Sequence, residues 1–126
     1  MIDHVVLTVR SLERSLVFYQ RALKPLGHTR RVTYEGHSGH ARLAGFGDGS
    51  ETYLLLREGA PHPRAVHLAF VAPSERAVRA FHELALENGG RDNGAPGERT
   101  HYFPGYYAAY VLDPDGYNVE AVHQPR

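Results

Sequence analysis

The chain has 126 residues, fourteen Lys and Arg balanced by fourteen Asp and Glu, nine His and no Cys. That length suits one compact domain, and a balanced charge without a basic run argues against a nucleic-acid or membrane-surface binder. The absence of Cys leaves only nitrogen and oxygen ligands for any metal, and the absence of a signal-like start or a bilayer-length apolar stretch makes a cytoplasmic protein the expectation.

Residues 2–9 form an apolar, β-branched run, the composition of a buried strand. Ser11 can cap a following helix, with Glu13 in its first turn and Leu12, Leu16, Tyr19 and Leu23 forming one apolar stripe. Pro25 and Gly27 end that helix. Three strands are predicted near residues 28–34, 40–46 and 52–57, with glycines supplying the turns. Ala60-Pro61-His62-Pro63 reads as a linker.

The order then repeats. Residues 65–72 predict a strand, and Ser74 caps a helix whose buried stripe is Ala77, Val78, Phe81, Leu84 and Ala85. Asn88-Gly89-Gly90 stops it in a left-handed cap. Residues 91–99, rich in Gly, Asn and Pro, predict a loop, followed by strands near 99–103, 106–112 and 117–123. Asp113-Pro114-Asp115-Gly116 is a tight turn between the last two.

The two halves match in weakened form. At an offset of 63, His4 falls on His67, Ser11 on Ser74, Phe18 on Phe81 and Gly27 on Gly90. A histidine inside an apolar strand at the same place in both copies points to a paired use. Strand alternation sets each histidine on one face and bulkier residues on the other, so the bulky face can lie under the helix. Glu120 is a carboxylate inside the apolar run 117–122 and needs a cation, a donor or a proton. Two imidazoles and a carboxylate would leave coordination positions open, as in catalytic rather than structural sites. The alternative for Glu120 is a salt bridge, with Arg42 or Arg99 as partner. His37, His40, His62, His82, His101 and His123 read as exposed or loop histidines. Tyr102, Phe103, Tyr106, Tyr107 and Tyr110 cluster before the last hairpin, either as strand packing or as the rim of a substrate pocket. Parity allows at most one of Tyr106 and Tyr107 to point inward.

The paired strand–helix–three-strand order, Ile2-Asp3-His4-Val5, Val66-His67-Leu68-Ala69-Phe70 and Asp113-Pro114-Asp115-Gly116-Tyr117-Asn118-Val119-Glu120 together resemble the vicinal oxygen chelate superfamily. That superfamily includes glyoxalase I, bleomycin-resistance proteins, fosfomycin-resistance enzymes and extradiol dioxygenases. The resemblance implies an α+β fold of two βαβββ modules, residues 1–59 and 64–126, whose curved mixed sheets enclose a metal cleft, in a homodimer. It implies one divalent metal (Zn, Fe, Mn or Ni) on His4, His67 and Glu120, with Glu120 also catalytic and Tyr102, Tyr106 and Tyr107 facing a small-molecule substrate. Glyoxalase I-like members add a fourth ligand from the last strand of the first half, where aligning Tyr53 on Tyr117 places Leu56. The expected activity is lyase, isomerase or oxygenase chemistry on a substrate chelated through neighbouring oxygens. The alternative is a binding protein that sequesters a small molecule without turnover.

Overall fold

The computed structural model describes residues 1–36, 39 and 42–125. In chain order the elements are β1 (Val5–Val9), α1 (Leu12–Ala22), a short 3-10 turn (Lys24–Leu26), β2 (Arg30–Tyr34), β3 (Leu43–Asp48) and β4 (Glu51–Glu58). The second half supplies β5 (His67–Val71), α2 (Glu75–Glu87), β6 (Arg91–Glu98), β7 (Tyr107–Leu112) and β8 (Asn118–His123). Each half makes its own four-stranded mixed sheet, in the orders β1-β4-β3-β2 and β5-β8-β7-β6. In both sheets the first and last strands of the half run parallel and the other neighbours antiparallel. This is the α+β arrangement expected, with two helices over curved, open sheets. Among the described residues no helix is long and apolar enough to cross a membrane.

The helix starts are built as the sequence indicates. Ser11 Oγ accepts from Arg14 N at 3.3 Å, and Ser74 Oγ accepts from Ala77 N at 3.0 Å, each satisfying a helix-start amide. Gly89, at φ +101°, carries the left-handed turn after α2. Gly90 follows with no room for a side chain, because a Cβ there would meet Phe18 Cε1 at 2.7 Å.

One region differs from expectation. Residues 91–98 are the edge strand β6, not a loop, and residues 99–106 form the turn expected to hold a strand. The glycines and Pro96 are tolerated because β6 pairs on one side only, and its ladder slips on both sides of Gly94. His37 and His40 lie outside the described residues.

The core decides how the halves meet. On β1 and β4 the helix-side residues Leu7, Val9, Leu54 and Leu56 are buried, and on β7 and β8 so are Ala109, Val111, Val119 and Ala121. All belong to one apolar cluster with Phe18 and Tyr19 of α1 and Val78 and Phe81 of α2. The two helix-covered faces therefore share a core, and the opposite faces turn outward. Val6 and Val71, on those outward faces, remain 39% and 55% exposed.

A polar clasp closes the same junction. Asp113 Oδ1 accepts from Asp115 N (2.9 Å) and Tyr117 N (3.0 Å), which shapes the hairpin turn. Its Oδ2 accepts from the buried Tyr19 hydroxyl at 2.5 Å, joining the turn to α1. Asp115 Oδ1 takes a 2.9 Å ion pair from Arg14, and the Tyr117 hydroxyl donates to Thr8 O at 2.6 Å. Burial raises the pKa of both Tyr19 and Asp113.

Tyr19→Phe leaves Asp113 Oδ2 buried without its donor, so stability should drop by about 3 kcal/mol, read as a lower urea midpoint at unchanged slope. A second prediction concerns His28, half-buried and bonded through Nδ1 to the Tyr53 hydroxyl. Burial lowers its pKa, partly opposed by the charge of Asp48. Its contribution is therefore fully present above the unfolded histidine value of about 6.5 and is lost as pH falls through the lower folded value. Comparing the urea midpoints of wild type and His28→Phe across that range should show the wild type losing more stability on acidification.

Candidate functional site

Glu120 sits at the centre of the outward face of the second sheet. The parallel register sets Ala69 beside it on β5, and the antiparallel register sets Tyr110 beside it on β7. Alanines at 69 and 108 leave space that larger side chains would fill. Alternation brings His67 and Asn118, two residues back on their strands, to the same face.

Glu120 is 3% exposed, and its carboxyl group is held at both oxygens. Oε1 lies 3.0 Å from His67 Nε2, and Oε2 accepts from the Tyr106 hydroxyl at 2.5 Å. His67 Nδ1 lies 3.0 Å from Asn118 O, an acceptor with no proton to give, so Nδ1 carries the imidazole hydrogen. Nε2 then either shares a proton with Glu120 or offers a lone pair. Burial, followed by the hydrogen bond to Glu120, pushes Tyr106 up to about 12, so it stays a donor at neutral pH. Tyr110 is also raised, first by burial and then by the charge of Glu120.

This donor set fits a divalent cation. A backbone carbonyl fixing one imidazole nitrogen so that the other faces a carboxylate is the orientation metal-binding histidines use. A cation between Nε2 and Oε1 would find its charge partner already in place in the Glu120 carboxyl group. Imidazole and carboxylate together suit the first-row transition metals.

His4 is not in this cluster. It precedes β1, its side chain is 48% exposed, and its Nδ1 lies 2.7 Å from Asp3 Oδ1. Among the described residues of one chain, no three His, Asp or Glu side chains converge to hold an ion. Within one chain, then, His67 and Glu120 meet and His4 stands apart. The shared core turns their two faces in different directions.

The aromatic residues divide by parity. Tyr106 and Tyr110 share the face of Glu120, and the Tyr110 ring stacks on His67 with centroids 6.3 Å apart. Tyr102 lies at the rim, its ring 4.9 Å from that of Tyr106. Tyr107 points the other way, where its hydroxyl accepts from Arg79 of α2 at 3.3 Å, so it does not reach the cluster. Tyr110, named in the aromatic cluster but not among the residues expected to face substrate, is the further contributor. Its spacing of four from Tyr106 on one strand was the available signal.

The salt-bridge reading of Glu120 is also resolved. Arg42 pairs with Glu13 at 3.1 Å, and Arg99 donates to Ala95 O at 2.7 Å while lying over the Tyr110 ring. His82 pairs with Asp92, and His123 Nδ1 lies 3.0 Å from Ala72 O.

At the fourth-ligand place the register corrects the alignment. Val6 pairs with Leu55 as Ala69 pairs with Glu120, so Leu55 occupies the corresponding position and Leu56 is buried in the core. The slip arises at a bulge, where Phe46 pairs with Leu54 but Gly47 with Thr52, leaving Tyr53 as the extra residue. Neither leucine can bind a metal.

Comparison with known proteins agrees with this architecture. The profile of the Glyoxalase/Bleomycin resistance protein/Dioxygenase superfamily matches residues 1–121. A glyoxalase/bleomycin resistance protein from Albidiferax ferrireducens superposes with a TM-score of 0.75 at 29% identity, over 98% of each chain. A glyoxalase I variant from Zea mays gives 0.67 at 26% identity, over 95% of this chain and 44% of the longer one. A glyoxalase-related enzyme from Fulvimarina pelagi gives 0.72 at 19% identity, over 99% of this chain and 88% of the other, a likeness of fold. No curated protein matched in sequence. With its duplicated halves, its sheet order and a profile match over nearly its whole length, the chain belongs to the glyoxalase/bleomycin resistance/dioxygenase superfamily.

Proposed function

We propose that the chain is a metal-dependent enzyme that binds a small substrate through neighbouring oxygens, acting as a homodimer. The observation that carries this reading is the His67–Glu120 pair, with Nδ1 anchored to Asn118 O and Glu120 Oε2 held by Tyr106. His67 and Glu120 would hold the cation from one chain, and His4 of a second copy would complete the set. The outward sheet faces support pairing between copies. Val6, Val71 and Tyr34 expose apolar surface there that a partner would cover.

A bound divalent cation supplies Lewis acidity toward substrate oxygens. The chain's own groups do the rest. Glu120 is the carboxylate placed to accept and return a substrate proton. Tyr106 holds its second oxygen and so fixes which lone pair faces the cleft. Tyr102 and Tyr110 orient the substrate and exclude water. The class of reaction is an isomerisation, a lyase step or an oxygenation.

A second reading, sequestration without turnover, is favoured by one observation: Leu55, which cannot bind a metal, stands at the fourth-ligand place. Tight binding of a small ligand by metal-free protein, measured calorimetrically, would select it.

The purified protein should carry close to one transition metal ion per chain by elemental analysis, and His67→Ala and His4→Ala should each lose it. Co-refolding the two variants in equal amounts should restore about a quarter of the metal, because half the random dimers are mixed and each has one intact site. No metal after reconstitution of the wild type would sink the enzymatic reading; no recovery on mixing would sink the shared site. Tyr106→Phe should keep the dimer but weaken metal affinity by about 10- to 100-fold, followed by competition with a chelator.

A further inference from the structure

We propose that the crevice beside His28 and Tyr53 is a second small-molecule site, taking an uncharged, largely apolar compound that carries a single carbonyl or ether oxygen. A cavity of about 300 Å³ lies along the unpaired edge of β5, walled by Val5, Leu54, Leu68 and Phe70, with His28 and Tyr53 as polar groups. None of His67, Glu120, Tyr106 and Tyr110 lines it, although Ala69, the β5 neighbour of Glu120, does. Leu68 and Phe70 alternate with His67 and Ala69 on β5 and pack with the core on its other face. The volume lies at the lower end of the range for ligand pockets.

Three observations converge there. The first is the bulge that makes Tyr53 the extra residue of β4. Bulges re-aim side chains, and this one sets the Tyr53 hydroxyl on His28 Nδ1 rather than over the outward face with Leu55. The second is the tautomer. Tyr53 makes no other side-chain hydrogen bond among the described residues; with its proton given to Nδ1, the neutral imidazole carries its own hydrogen on Nε2. The third is that Nε2 is buried and finds no acceptor among the described residues, although buried donors are ordinarily paired.

A ligand with one acceptor oxygen and an apolar body supplies what this donor lacks and covers the surrounding side chains. Its charge follows from the neighbours. Burial keeps His28 neutral and raises Tyr53, Asp3 lines the same cavity, and the charge of Asp48 acts on both ring groups, so an anion is disfavoured. The edge-on packing of the His28 and Tyr53 rings, with Phe70 5.5 Å from His28, favours a planar ligand.

The test uses acetophenone, isopropylbenzene as a near-isostere without the acceptor, and benzoate as the anionic analogue. Each is titrated into the full chain and followed in histidine-ring 1H–15N spectra. Acetophenone should bind saturably, about five- to tenfold more tightly than isopropylbenzene, and shift the His28 Nε2 resonance. Benzoate should bind more weakly than acetophenone. His28→Phe should bring acetophenone and isopropylbenzene to equal affinity. Equal affinities in the wild type, no saturation up to the solubility limit, or a His28 resonance unmoved by acetophenone would overturn the proposal. The wild-type comparison decides even if His28→Phe does not fold.

Discussion

The structure depends on the decision to bury both helix-covered sheet faces in one core. Each βαβββ half alone would leave an apolar helix–sheet layer without a second layer to cover it. Here Phe18 and Tyr19 of the first half and Val78 and Phe81 of the second lie in a common cluster, each fully buried. Burying a side chain of that size is worth about 1.5–3 kcal/mol, so these residues contribute substantially across the junction. The Tyr19–Asp113 bond adds direction rather than bulk: it ties the hairpin turn of one half to the helix of the other at a fixed register.

That packing has a consequence for chemistry. A face buried in the core cannot hold a substrate, and a face turned outward cannot meet its counterpart in the same chain. The duplicated histidines therefore end on two surfaces that look away from each other. His67 finds Glu120 because β5 and β8 are hydrogen-bonded neighbours, whereas His4 has only Asp3 beside it. In the proposed homodimer a second copy would close the cleft and cover the apolar residues on both outward faces at once. Association and assembly of the ligand set would then be the same event.

The sequence made most of this legible, and the failures have identifiable causes. Helices capped by Ser11 and Ser74, the turn at Asp113 and the burial of Glu120 follow from local rules, since cap, turn and strand parity involve residues close in the chain. The edge strand β6 was not legible because Gly94 and Pro96 obey the composition of a loop, and only its pairing with β7 makes it a strand. The position of His4 relative to His67 was not legible either. Strand alternation tells which face a residue occupies but not which way that face points after two layers have packed.

The comparison of β4 with β8 carries the last step. Both strands run parallel to the first strand of their own half, yet β8 keeps Glu120 on the outward face while β4 places Leu55 there. The insertion of Tyr53 explains how two repeats can diverge without losing the fold. One extra residue in a ladder shifts every side chain beyond it to the other face, so a bulge absorbs the shift locally and leaves Leu54 and Leu56 in the core. At that place the second half carries a hydrogen-bonded carboxylate, whereas the first half carries a leucine and has a tyrosine–histidine pair at its bulge. A duplicated scaffold with one shared core tolerates this asymmetry because its stability rests on the buried faces, leaving the outward faces and the bulge free to acquire separate chemistry.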